Sequence, residues 1–128
     1  MQEYDNLEAE LGISFGDKDL LSQALVHSSY VNENPGVFPE SNERLEFLGD
    51  AVIGVVVAAE LFQLHPEWPE GELTHGRSIL VRGEALARVA DSVELGKYLN
   101  VGKGEERAGG RQRMNNLAAT FEAVVGAL

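Results

Sequence analysis

Glu43, Glu46 and Asp50 are the residues of this chain whose types and spacing best suit joint chemistry. Each residue of an α-helix advances roughly 100°, so these three carboxylates fall within about 60° of arc and form one stripe. A solvated helix face usually mixes Lys with Glu to relieve repulsion. Here only Arg44 stands close by in sequence. Stacked carboxylates repel unless a cation or a proton lies between them. Hard oxygen groups of this kind suit Mg²⁺ or Mn²⁺. Near the end of the chain, Glu122 shares a helical face with Asn115, Ala119 and Gly126.

The elements that must carry these groups read as helices nearly throughout. Residues 5–11 form a short helix with Leu7 and Leu11, and Phe15 sits in the turn after it. Asp17 can cap a second helix carrying Leu20, Leu21, Ala24 and Leu25. Residues 31–40, with Asn32, Asn34, Pro35, Gly36 and Pro39, read as a loop. Ser41 or Asn42 can cap a long helix that runs to about Leu64, where His65-Pro66 ends it. Leu45, Leu48, Val52, Val55, Val56 and Ala59 lie opposite the acids and read as its core face. From Ala51 to Val57 it is apolar all round, which predicts a buried central rod.

Pro69 can begin the next helix, to about Val81, and Gly83 breaks it. A helix over Glu84 to about Val93 turns Leu86, Val89 and Ala90 inward. Glycines 96, 102, 104, 109 and 110 predict a loop-rich region. The last helix starts near Arg113 or Asn115, with Leu117, Phe121, Val124 and Leu128 as its apolar stripe. No stretch alternates with the period of a strand.

Length and composition fit one globular domain over residues 1–128: 44% hydrophobic and 24% charged. The absence of cysteine excludes disulfides and thiolate zinc sites and fits a reducing cytoplasm. No apolar run reaches membrane-spanning length, so no membrane partner is expected. A net charge of −11 and a pI near 4.6 argue against a binder that holds nucleic acid through a broad basic surface. Either the chain avoids nucleic acid, or metal ions and a separate basic module offset its acid.

Glu43-Arg44-Leu45-Glu46-Phe47-Leu48-Gly49-Asp50 resembles the signature of the ribonuclease III family, bacterial type. Residues 23–30 before it, then Glu70-Gly71-Glu72-Leu73-Thr74, Leu80-Val81-Arg82, residues 95–99 and residues 102–105, resemble further family segments in order. Asn116-Leu117-Ala118-Ala119-Thr120-Phe121-Glu122-Ala123 resembles the second catalytic motif. An ordered set across nearly the whole chain is far more specific than one octapeptide.

The resemblance implies an all-α endonuclease domain built on a long central signature helix. It implies Mg²⁺-dependent (Mn²⁺ possible) hydrolysis of double-stranded RNA, in ribosomal and messenger RNA processing, by a homodimer. On it, Glu46, Asp50 and Glu122 match metal-binding positions, with Asp50 and Glu122 catalytic. Glu43 matches an acidic position with a less direct role. Phe47 matches a residue that plugs a pocket on a second subunit. Bacterial members usually add a C-terminal double-stranded-RNA-binding domain. The stripe here stops at Leu128 without a capping Gly, Asn or Pro, so the chain reads as a truncated copy lacking that module.

One position departs from the family. Its motif sets an Asp three residues before the Glu, and this chain has Ala119 there. A methyl group coordinates nothing, so water or Asn115 would have to fill the gap, and activity should be weakened or lost. Three accounts stay open: an engineered change, natural divergence, or compensation by another group. The intact residues around Ala119 tilt the balance toward the first. The rival reading is an inactive relative serving as an RNA- or ribosome-binding scaffold.

Other motifs carry less. Glycines 102–110 lack the spacing of a phosphate loop and read as a flexible turn. Arg107, Arg111 and Arg113 suit RNA backbone or plain solubility equally. His27, His65 and His75 have no metal-pair spacing; His27 reads as a helix-end residue. Ser28 and Ser29 beside His27 do not make a hydrolase triad. Gly76 inside a predicted helix costs about 1 kcal/mol relative to alanine and has no evident reason there.

Overall fold

The computed structural model describes residues 2–128, with side chains from Tyr4 onward. Eight α-helices follow one another among the described residues: α1 Gln2–Leu11, α2 Lys18–Ala24, α3 Ser28–Glu33, α4 Glu43–Leu64, α5 Glu70–Leu80, α6 Gly83–Ser92, α7 Lys103–Arg107 and α8 Met114–Ala127. Two tighter 3-10 turns lie at Leu95–Tyr98 and Gly110–Gln112. The one β-type pairing among the described residues is an isolated bridge between Val26 and Asn100. The expected all-α class holds.

Local chemistry sets several boundaries. The Asp17 carboxylate accepts from the Asp19 and Leu20 amides and caps α2, as expected. The residues before α4 divide the work. Ser41 Oγ accepts from the Glu43 amide at 3.3 Å. Asn42 is buried and instead donates to the Ala24 carbonyl at 3.0 Å, tying the start of α4 to the end of α2. Part of the expected loop at 31–40 is helical, because α3 runs to Glu33 before Pro35 stops the pattern. The expected break holds: α5 ends at Leu80, and Gly83 is the first residue of α6. The expected loop after residue 96 contains α7, too short to show a period in sequence. Gly76 finds its reason in α5. A side chain there would crowd the Trp68 ring at 3.3 Å and Leu61 at 3.4 Å, and Trp68 in turn stacks on His65.

The buried central helix is α8, not α4. Leu117, Ala118, Thr120, Ala123, Val124 and Ala127 are all buried, since α8 packs against α4, α6 and α2 together. Small residues let neighbours approach from several sides. Phe121 is half-buried and Leu128 exposed, so the stripe expected there is only partly inward. On α6, Leu86, Ala87 and Ala90 point in, while Val89 is exposed. Fully buried Leu7, Leu21, Leu25, Leu95 and Leu99 anchor the rest of the core; each such side chain contributes about 1.5–3 kcal/mol.

The core face expected for α4 must be corrected. Its buried residues are Leu45, Gly49, Ile53 and Leu61. Leu48, Val52, Val55 and Val56, expected inside, are exposed, with Val55 at 70%. A helix apolar all round does not say which side its neighbour takes. Here α8 lies along the row that advances four residues at a time, which is the common ridge in helix packing. The opposite side is left apolar and bare.

Candidate active site

Asp50 and Glu122 meet because α4 and α8 cross in close contact beside them. The contact requires Gly49: a Cβ on it would overlap the carbonyl oxygen of Glu122. Glu43, Glu46, Phe47, Asp50 and Glu122 line one open depression of about 410 Å³. The three acids of the signature segment therefore do share a face. The acid from the far end of the chain joins them.

Crowding shows in their protonation. Burial raises the Glu122 carboxyl most, followed by its hydrogen bond to Asp50 and the charges of Asp50 and Glu46, which together push it up to about 8. Glu46 is also raised, first by burial and then by Glu43 and Asp50. The protonated form of Glu122 is thus favoured at neutral pH. Among the described residues, no three acidic or histidine side chains stand ready-closed as a metal shell. The carboxyls are gathered in one depression without closing into such a shell.

Ala119 lies on α8 about one turn before Glu122 and is half-buried. Neither it nor Asn115 lines the depression. Phe47 is 80% exposed and borders both the acid depression and a larger hollow of about 610 Å³. Leu20, Gln23, Glu40, Arg44 and Leu45 help to line that hollow.

The lesser motifs resolve into scaffolding. Arg111 pairs with Glu106 and Arg113 with Glu105, both at 3.2 Å, so these guanidiniums brace the glycine-rich segment. His27 caps α3 by accepting from the Ser29 amide at 3.0 Å. Ser29 Oγ lies 2.7 Å from His27 Nδ1 and accepts from the Gly102 amide at 2.8 Å. That hydroxyl clips two segments together.

One feature was hidden in the sequence. Leu48, Val52, Val55, Ala59 and Phe62 are spaced four, three, four and three apart and are all exposed, Phe62 at 71%. This is the spacing of a helix–helix seam. The signal was present but merged with the apolar run of the core.

Known proteins share both sequence and fold. The ribonuclease-III-like family profile matches residues 17–128. The chain is 52% identical over all 128 residues to Ribonuclease 3 of Dehalococcoides mccartyi, covering 54% of that protein. It is 50% identical over 126 residues to Ribonuclease 3 of a Roseiflexus species, covering 53%. The chain thus spans about half the length of the curated relatives it matches. The nuclease domain of ribonuclease III from Campylobacter jejuni superposes with a TM-score of 0.88 at 38% identity, over 99% of this chain and 82% of that one. A second structure of that domain, described for flexibility in a region involved in dimer formation, gives 0.87 at 38% identity, over 95% of this chain and 81% of that one. With the signature acids, the helical order and this likeness in agreement, the chain belongs to the ribonuclease III-like family.

Proposed function

We propose that this chain is the catalytic domain of a divalent-metal-dependent endoribonuclease that hydrolyses phosphodiester bonds of double-stranded RNA. Ribosomal and messenger RNA processing in the cytoplasm would be its setting. One observation carries the reading: Glu122 of α8 lies against Asp50 of α4, in the same depression as Glu46.

The donor set fits a hard divalent cation. Glu46, Asp50 and Glu122 line one depression, and every donor they would offer is a carboxylate oxygen. Glu46, Asp50 and Glu122 would hold Mg²⁺, with Mn²⁺ as a substitute. The ion, when bound, supplies Lewis-acid stabilisation of phosphoryl charge and an acidified water. Asp50 and Glu122 are the catalytic pair: they orient the reacting groups, and Glu122 gives up its proton when both must be charged. Glu43 adds negative potential at the rim. Phosphate recognition would follow duplex shape more than base sequence, because the A-form major groove is too narrow to read.

A second copy completes the assembly. The exposed seam on α4 and the exposed Phe47 fit a two-fold contact, in which each Phe47 enters the hollow beside Leu20, Gln23 and Arg44 of its mate. No helix among the described residues is long and apolar enough to cross a membrane, and none is needed here.

Ala119 favours the second reading, a scaffold relative with weakened or absent chemistry. One assay separates the two. Labelled duplex RNA is incubated with the chain and with Ala119→Asp, each with Mg²⁺ and with chelator. The variant should cut at least about tenfold faster, equivalent to about 1.4 kcal/mol of transition-state stabilisation. Failure of both to cut, even with a double-stranded-RNA-binding domain appended, refutes the enzyme. Equal cutting refutes the account of Ala119.

A further inference from the structure

The crossing of α4 and α8 is a contact of backbone on backbone, and two glycines make it. A Cβ built on Gly126 would overlap the Leu45 carbonyl oxygen and sit 3.1 Å from the Gly49 amide nitrogen. Reciprocally, a Cβ on Gly49 would overlap the Glu122 carbonyl oxygen and sit 3.0 Å from the Gly126 amide nitrogen. The obstructing atoms are main chain, so no flexible side chain can swing aside. Most helix pairs keep their axes about 8–10 Å apart, according to the side chains between them. With none between them here, main chain meets main chain.

The acids stand directly beside this contact. Asp50 follows Gly49, and Glu122 lies one turn before Gly126 on the same face of α8. A carboxylate on a short side chain cannot make up for a retreating backbone. Separation of the helices is therefore passed on to the gap between the Asp50 and Glu122 carboxyls. Divalent cations are strict about that gap: Mg²⁺ takes oxygen at about 2.0–2.1 Å in near-octahedral geometry.

We infer that Gly126, which has no side chain to offer the site, is a positioning residue that sets the Asp50–Glu122 spacing a divalent cation requires. The inference rests on the metal-dependent reading above. Ala119 sharpens the need. A site short of one carboxylate has fewer donors to absorb an error in placing the rest.

The test is Mn²⁺ affinity, read by the electron paramagnetic resonance of free and bound ion. The unchanged chain, Gly126→Ala and Val124→Ala are compared, each also in an Ala119→Asp background. Val124 is buried on another side of α8, so its variant controls for plain loss of stability. Gly126→Ala should lose about tenfold or more in affinity, since a misplacement near 1 Å is severe for a preorganised site. Val124→Ala should stay within about twofold, as expected for an independent site. Extending the reach, by Asp50→Glu in the Gly126→Ala chain, should recover part of the loss, which a merely structural glycine would not allow. A folded Gly126→Ala protein that binds Mn²⁺ like the parent overturns the inference. Should that variant fail to fold, Glu122→Asp withdraws one carboxylate by a methylene at native helix spacing. Unchanged affinity there overturns it equally, and a comparable loss supports it. If neither parent nor Ala119→Asp binds Mn²⁺, the metal reading itself falls, and this inference with it.

Discussion

Replacing Glu122 by glutamine should stabilise the metal-free protein above neutral pH. Folded, Glu122 keeps its proton up to about pH 8, against an ordinary value of 4.5. Between those values the folded state binds more protons than the unfolded chain, so stability falls as pH rises through that window. Below it the group costs nothing. Glutamine is uncharged at every pH and keeps a donor for Asp50, so the variant escapes the loss. The ceiling is about 5 kcal/mol, at about 1.4 kcal/mol for each tenfold change in proton affinity. Solvent still reaches the depression, and screening there reduces the gain to about 1–2 kcal/mol. Glu46 is raised for similar reasons, but it remains in both proteins and cancels in the difference. Urea unfolding in chelator, at about pH 5 and about pH 9, measures the effect. The curves should coincide at the lower pH and separate at the higher, with Glu122→Gln the more stable. Added Mg²⁺ at the higher pH should reverse the order, because only the parent gains a ligand charge. Parallel curves across the whole range would refute the crowding on which the site rests.

Two other perturbations probe different parts of the molecule. Phe62→Glu puts a charge on the exposed seam of α4 and should shift sedimentation from dimer to monomer with unchanged helicity; a parent that sediments as a monomer at micromolar concentration removes the seam. Glu8 is held below its ordinary 4.5 by its hydrogen bond to Lys18 and then by the Phe15 amide, so Glu8→Gln should lower the thermal midpoint at neutral pH. That deficit should close as pH falls through the carboxylate range, where the parent's Glu8 takes up its own proton.

Much of the site was legible because helical spacing is a rigid rule. Glu43, Glu46 and Asp50 fall on one face for any sequence that is helical there, and Ser41 before the helix and Pro66 after it mark its bounds. The meeting with Glu122 is a long-range fact that no local period contains. It came from the family resemblance, and the geometry agrees with it. The packing of α4 was misread for a definite reason. A residue such as Val55 is equally apolar whether it faces α8 or the outside. Period alone cannot rank two apolar faces of one helix. Gly76 was opaque until Trp68 was seen against it, and Gly126 until Leu45 was. A glycine chosen for close approach carries no mark in sequence beyond its own absence of a side chain.

Ala119 draws stability and function into opposition at this site. Burial, followed by the hydrogen bond to Asp50 and the charges of Asp50 and Glu46, already favours the protonated form of Glu122. A fifth carboxylate near this depression, which Glu43, Glu46, Asp50 and Glu122 already line, would raise the repulsion further in the absence of metal. On the metal-dependent reading proposed above, alanine at position 119 relieves that repulsion at the expense of cation affinity, as expected where a site's chemistry conflicts with the fold that carries it. Ala119→Asp should accordingly unfold more easily than the parent in chelator, by on the order of 1 kcal/mol for a partly solvated charge. It should unfold less easily in Mg²⁺, because a ligand that binds only the folded state stabilises it in proportion to the logarithm of its occupancy. Two urea curves for each protein, with and without the ion, contain the whole test. A variant more stable than the parent in chelator would mean that position 119 lies outside the field of Asp50 and Glu122. Its aspartate could then not act as their fellow ligand.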